Sequence, residues 1–266
     1  MFVTDCLISA SAFSPELARD RMVMDKKASG IHQLRAAAGL CNAGEFDAST
    51  INLPLPDRRI YGDATDQAIL RFSEGLGSTS ELRQAWKMTF QLPFNSKNKF
   101  MIRTFSVAEP NGYGVALSPA EAVGFKQDDT LLTIKGAPDI LIERCTHTIG
   151  INGKVEILNE RARAKVLEVK DRWSREGRRV ILLARKVLPG SQILVHPSSR
   201  EFESEVMSQA KTGLVLVGLV AIIDPPREEI PDVMKTLRRA GIRIFMVCSS
   251  YLLKAGKGFA NYFFTR

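Results

Sequence analysis

The sequence predicts a mixed α/β fold: a largely antiparallel sheet flanked by helices, followed by a partial parallel βαβ unit. Three observations lead there. Short extended apolar runs are separated by turn dipeptides, Asn111-Gly112 and Asn152-Gly153, as hairpins require. Amphipathic helical stretches are interspersed with them, the longest from Glu160 to Ser174. Near the C-terminus a strand, a helix, a glycine and a second strand follow in the order of a βαβ unit.

Residues 1–30 are weakly patterned. Residues 31–42 read as a helix ending near Asn42-Ala43-Gly44, and 48–62, with Pro54, Pro56 and Gly62, as a loop. Asp63 is a plausible N-cap for a helix through Arg71, with Ala68, Ile69 and Phe72 on its apolar side. Ser73 to Ser80 reads as a loop of small residues, Trp86 to Leu92 as extended, and Lys99 to Val107 as a strand. After Asn111-Gly112 comes YGVAL; Leu131 to Lys135 is a short strand, and Pro138 to Cys145 a short helix with proline in its first turn. Arg179 to Lys186 is a strand, apolar through Val180–Ala184. Leu214 to Ile223 is a buried strand, followed by DPPR, a helix from Ile230 to Ala240 ended by Gly241, and a strand from Ile242 to Val247. A domain boundary is therefore expected near 205–213.

At 266 residues the chain holds one large domain, or one domain and part of another. Its formal charge of +8 favours anionic partners, but the cations are spread along the chain and form no nucleic-acid stripe. The cysteines, Cys6, Cys41, Cys145 and Cys248, form no CxxC pair, and His32, His147 and His196 are far apart, so the sequence offers no zinc site. Scattered cysteines fit a reducing compartment. The apolar run Leu214–Ile223 is far shorter than the roughly 20 residues of a membrane-spanning helix, and the N-terminus lacks the basic region of a signal peptide. No direct membrane insertion is expected.

Two segments suit a pocket for a flat base carrying phosphates: PFNSKNKF, Pro93–Phe100, and KGAPD, Lys135–Asp139. Phe94 offers a flat apolar face for stacking, or is simply core. Lys99 is a phosphate donor or a solvated surface lysine. Lys135 precedes Gly136, whose missing Cβ admits a ligand near the backbone, or marks a turn. Asp66 accepts from the exocyclic amine of a base, or is an acid favoured in the first turn of a helix. Arg179 reaches a triphosphate, or forms a solvated basic pair with Arg178. Asp224, ahead of Pro225, Pro226 and Arg227, sits at a strand end where open α/β sheets place ligands, or shapes the turn. AGKG at Ala255–Gly258 lacks the spacing and hydroxyl of a Walker A loop, and no GxGxxG fingerprint is present.

Taken together the segments resemble a P-type cation-transporting ATPase of the sodium/potassium or related fungal cation-pump type. Five blocks carry the resemblance in family order: GDATDQAIL at 62–70, PFNSKNKF at 93–100, KGAPDILIERC at 135–145, REGRRVILLAR at 175–185 and VGLVAIIDPPREEIPDVMKTLRRAGIRIFMV at 217–247. The resemblance implies an ATP-binding domain inserted into a parallel α/β phosphorylation domain. By it, Phe94 would stack on adenine, with Asp66, where the family has glutamate, nearby. Lys99, Lys135 and Gly136 would line the pocket, Arg179 would approach the phosphates, and Asp224 and Arg227 would lie at the phosphate end of the hinge side.

The resemblance also implies departures. Asp20-Arg21-Met22 matches the family segment that follows DKTGTLT, which puts Ala12 at the phosphorylated aspartate; alanine forms no acyl phosphate. Cys248, Ser249 and Ser250 replace TGD, and the magnesium-holding GDGxND segment, the actuator TGE motif and the transmembrane helices have no counterpart. Magnesium is thus implied for the parent family with no protein site evident in this sequence. The division expected is 1–24, a degenerate phosphorylation-domain remnant; 25–212, the nucleotide-binding domain; 213–247, a partial phosphorylation domain; and 248–266, a divergent tail. Residues 25–210 are expected to be the stable unit and the tail to be poorly ordered or sticky. The expected activity is ATP binding without turnover, with the pump's phosphorylation, actuator and transmembrane regions as partners and no nucleic acid. Localisation follows the parent pump to the cytoplasmic side of a membrane, with this chain alone soluble or aggregated. A noncatalytic regulatory or interaction protein is the alternative; an ATPase completed in trans by other chains is a third.

Overall fold

In a computed structural model, described for residues 1–9, 11–24, 29–108, 115–192, 196–197, 199, 201–225 and 229–244, the elements follow one another as β1 (Phe2–Ile8), β2 (Ser11–Phe13), α1 (Pro15–Met24), α2 (Ser29–Leu40), β3 (Glu45–Phe46), β4 (Ile60–Tyr61), α3 (Ala64–Leu76), α4 (Thr79–Ala85), β5 (Trp86–Leu92), β6 (Phe100–Val107), α5 (Pro119–Gly124), β7 (Thr130–Gly136), α6 (Pro138–Leu141), β8 (Cys145–Ile149), β9 (Val155–Ile157), α7 (Glu160–Arg175), β10 (Arg179–Leu188), α8 (Phe202–Gln209), β11 (Leu214–Ile223) and α9 (Ile230–Arg239). The main sheet runs β2-β1-β11-β10-β7-β6-β5, and every neighbouring pair along that path is antiparallel. β8 joins the first part of β11 in parallel, and β9 pairs with β8.

The apolar run of β10 is continuous because both of its faces are covered. Leu182 and Ala184 meet a helical layer that includes Leu141, Val166, Trp173, Phe202 and Val206 of α6, α7 and α8. Leu183 points the other way, toward Ile31 and Leu34 of α2 and Ile69 and Phe72 of α3. Alternate residues of a strand face opposite sides of a sheet, so a strand between two layers needs no polar face. In β11 the phase changes part-way. Leu214 and Leu216 share a core with Leu219 and Ala221, while Val215 and Val217 share the other with Val220 and Ile222. The register against β10 shifts there, with Leu183 opposite Gly218 and Ala184 opposite Leu216, so a bulge at Val217-Gly218 resets the alternation. A Cβ on Gly218 would sit 2.3 Å from the Leu7 carbonyl oxygen, which reserves that position for glycine.

The predicted helices and most strands are present at or near their expected bounds, except that the helix expected over Pro138–Cys145 is α-helical only to Leu141, tightens to a 3-10 turn over Ile142–Arg144 and gives way to β8 at Cys145. The exceptions have physical causes. Ser73–Ser80 is not a loop: α3 runs on to Leu76 and α4 starts at Thr79. Ser73 is buried with its hydroxyl on the Arg35 carbonyl at 2.9 Å, and Ser78 caps α4, so tertiary partners and capping replace the coil that small residues suggest. The weakly patterned N-terminus forms β1, β2 and α1. The Asn111-Gly112 turn lies outside the described residues, and Val115–Leu117 is not a strand.

Leu214–Ile223, expected to open a separate parallel unit beyond 205–213, instead lies inside the main sheet. It is antiparallel to β1 over Leu219–Ile223 and to β10 along its length. A unit ending at residue 210 or 212 would lack this strand and leave β10 with one partner. Residues 242–244 are not a strand, and 245–247, with the tail 248–266, lie outside the described residues.

Candidate functional site

One end of the sheet gathers residues far apart in sequence. β7 ends there at Lys135-Gly136, β6 starts there at Phe100 and β10 at Arg179; register places Gly136 against both Phe100 and Leu182, and Lys135 against both Met101 and Leu183. β5 ends on the same side at Leu92, opposite Ile102, and leads into the turn carrying Phe94. β11 ends beside β10 with Ile222 opposite Arg179. The N-terminus of α3 reaches the same end, because the Thr65 hydroxyl contacts Arg179 Nη1 at 2.8 Å.

The turn from Pro93 to Lys99 is tied by its own backbone. The Lys99 amide donates to the Asn95 carbonyl at 2.8 Å and the Asn98 amide to Asn95 Oδ1 at 2.7 Å, while Lys99 has φ +61°. Phe94 is 61% exposed. That excludes the reading of Phe94 as core and leaves a ring facing solvent beside Lys99. The Lys99 carbonyl accepts from the Ala137 amide at 3.0 Å, which fastens this turn to KGAP. A Cβ on Gly136 would lie 2.3 Å from the same carbonyl oxygen and 2.7 Å from Phe100 Cα. Glycine is therefore required for the approach of the two segments, and the space expected for a ligand is filled by protein backbone.

Lys135 and Asp66 face each other. Both are buried, at 6% and 3% exposure, and Lys135 Nζ donates to Asp66 Oδ1. Asp66 Oδ2 accepts from the Ala43 amide at 2.8 Å, and the Asp66 carbonyl accepts from Asn42 Nδ2 at 3.0 Å. Asp63 caps the helix, its Oδ1 accepting from the Thr65 and Asp66 amides at 2.9 and 3.0 Å, which fixes the first turn from which Asp66 projects. The carboxylate expected to meet a base amine thus neutralises the lysine expected to meet phosphate. Buried charges require this kind of pairing, since each alone carries a large desolvation penalty.

Of the two adjacent arginines, Arg178 is engaged with Asp5 and Glu176, while the exposed Arg179 turns to Thr65. Asp224 is exposed just beyond β11 at the same end of the sheet; Arg227 lies outside the described residues. Ala12 sits on the edge strand β2 opposite Leu7, and Asp20–Met22 lies on α1. A cleft of about 210 Å³ lies elsewhere, lined by Ser9, Thr148, Asn159, Arg161 and Lys165 among others; none of the predicted site residues lines it.

Residues 30–229 match the family described as P-type ATPase, cytoplasmic domain N. The chain belongs to that family. This N-domain is 33% identical over 217 residues to potassium-transporting ATPase alpha chain 2 of Oryctolagus cuniculus, covering 81% of this chain and 18% of the relative. It is 31% identical over 223 residues to sodium/potassium-transporting ATPase subunit alpha-1 of Catostomus commersonii, covering 84% and 20%. The chain therefore spans about a fifth of the length of the curated relatives it matches. The match extends through β11, as the position of that strand in the N-domain sheet requires.

Among the described residues no cluster of three or more His, Cys, Asp or Glu is placed to hold a metal ion. No helix among them is long and apolar enough to cross a membrane. Sequence reasoning missed Thr65 and Arg103, and it read Asn42-Ala43-Gly44 as a helix end without its contacts to Asp66. The signal for Arg103 was a charge in the middle of the predicted strand KFMIRTFSV.

Proposed function

We propose that this chain binds ATP as the nucleotide-binding module of a P-type cation pump. The observation that carries the reading is the meeting of GDATDQ, PFNSKNKF, KGAP and REGRR at one end of the sheet, with an exposed Phe94 and an exposed Arg179. Phe94 stacks on the adenine. Lys99 and Arg179 meet the phosphates, Gly136 holds the Phe94–Lys99 turn against β7, and Asp66 fixes Lys135, which lines the pocket on its phosphate side. Asp224 and Arg227 border the phosphate end. The parent activity is ATP-driven cation transport at the cytoplasmic side of a membrane, with phosphorylation, actuator and transmembrane regions as partners and magnesium arriving with the nucleotide. This polypeptide on its own does not turn over, because its sequence holds no DKTGT segment to supply the acyl-phosphate nucleophile.

One observation favours a second reading, a noncatalytic interaction protein that keeps the fold without nucleotide affinity. Lys135 is tied to Asp66 and buried rather than open to a ligand. Calorimetric titration of the full chain with ATP, without and then with Mg²⁺, separates the two. Saturable binding that weakens in Phe94→Ala supports the nucleotide module; no binding by the folded chain supports the interaction protein. Incubation with γ-labelled ATP tests turnover, and acid-stable label on the protein would refute its absence.

A further inference from the structure

Two arginines from different elements converge on the carboxyl end of α2. Arg83 of α4 donates Nε to the Gly39 carbonyl at 3.2 Å and Nη2 to the Asn42 carbonyl at 3.0 Å, and both of its Nη atoms lie 3.1 Å from the Gly44 carbonyl. Arg103 of β6 donates Nη1 to the same Asn42 carbonyl at 2.5 Å and to Leu40 at 3.4 Å. Its Nε donates to Gln91 Oε1 at 2.8 Å, so the side chain is anchored from the neighbouring strand as well. The last carbonyls of a helix have no intrahelical donors and carry the negative end of its dipole, and guanidinium groups satisfy both needs.

What this clamp holds is the turn that addresses Asp66. Asn42 Oδ1 accepts from the Gly44 amide at 2.8 Å, which leaves Asn42 Nδ2 on the Asp66 carbonyl and the Ala43 amide on Asp66 Oδ2. Asp66 in turn holds Lys135. We propose that Arg103 is a positioning residue of the nucleotide site: through the Asn42-Ala43 turn it fixes the Asp66 carboxylate, and through Asp66 the place of the Lys135 ammonium. The inference rests on the nucleotide-binding reading. Without the guanidinium the Asn42 carbonyl keeps only Arg83, the turn loosens, and Asp66 loses a fixed donor. The phosphate side of the site then changes while the stacking face at Phe94 does not.

The test is titration of the full chain with ATP and, separately, with adenosine, in wild type, Arg103→Gln and Arg103→Lys. Arg103→Gln is expected to weaken ATP about tenfold, the scale of one lost charged hydrogen bond, with adenosine changed less than about twofold. Arg103→Lys restores part of the ATP affinity. Equal losses for both ligands, or a lower melting temperature with an unchanged ratio, overturn the proposal. If Arg103→Gln does not fold, Arg83→Gln reads the same ratio from the other arm of the clamp. Failure of wild type to bind ATP refutes the nucleotide reading itself. ATP binding by wild type with a ratio insensitive to these arginines refutes only the role of Arg103.

Discussion

At the scale of single residues the decisive feature is that Lys135 and Asp66 neutralise each other in the interior. Lys135→Met or Asp66→Asn alone strands the partner and should cost about 3–5 kcal/mol of stability, whereas the double variant should recover most of it. Denaturant unfolding of the three variants checks this, and additive losses would mean the groups act separately. Phe94 is the opposite case. Phe94→Ala should leave the melting temperature unchanged, because the ring is 61% exposed, yet weaken ATP binding by about 1–3 kcal/mol. A second buried cation, Arg185, contributes to the acid limb of stability through Glu121. Burial works upward on the Glu121 carboxyl, but hydrogen bonding and charge from Arg185, with bonds from Ser118, outweigh it and leave Glu121 below its ordinary range. A lowered native value means stability present above the unfolded carboxylate range and lost as pH falls through the native value. Burial likewise lowers His32, and Arg35 adds to it, so its protonation also opposes folding in acid. Stability should therefore fall on acidification, and less steeply in Glu121→Gln, as melting temperature against pH will report.

At the scale of elements, function depends on how segments are fastened together. Gly136→Ala would drive a Cβ into the Lys99 carbonyl, which also accepts from Ala137. The whole Pro93–Lys99 turn should move, weakening ATP and adenosine alike, unlike the phosphate-selective change expected at Arg103. A variant that binds both normally would contradict the fastening. The same scale shows what was legible in the sequence. Asp63 announced the start of α3, and the apolar runs of β10 and β11 announced strands, which the structure covers on both faces. The candidate residues were legible as short motifs, yet their pairing was not: nothing in GDATDQ or KGAP states that Asp66 and Lys135 sit in contact across 69 residues. The course of β11 was also illegible, because a strand followed by a helix reads the same whether its partner is parallel and downstream or antiparallel and upstream. Register with β1 and β10 decided it, and register is a tertiary property.

At the scale of the molecule, the sheet joins strands far apart in the chain, β1 and β11. A fragment limited to residues 25–212 lacks both and should not give a cooperative unfolding transition; a sharp transition in that fragment would contradict the topology. Cys6, Cys41 and Cys145 report on the same sheet. Burial pushes the Cys6 and Cys145 thiols up to about 12 and raises Cys41 as well, so all three should resist alkylation until the sheet opens. The central claim is that four distant segments form one nucleotide surface. Backbone amide NMR of the full chain during ATP titration tests it most directly. The account predicts that Thr65–Asp66, Phe94–Lys99, Gly136–Ala137 and Arg179 shift together and saturate with one affinity. Shifts confined to the Asn159–Lys165 cleft, or none at saturating ATP in the folded chain, would contradict it.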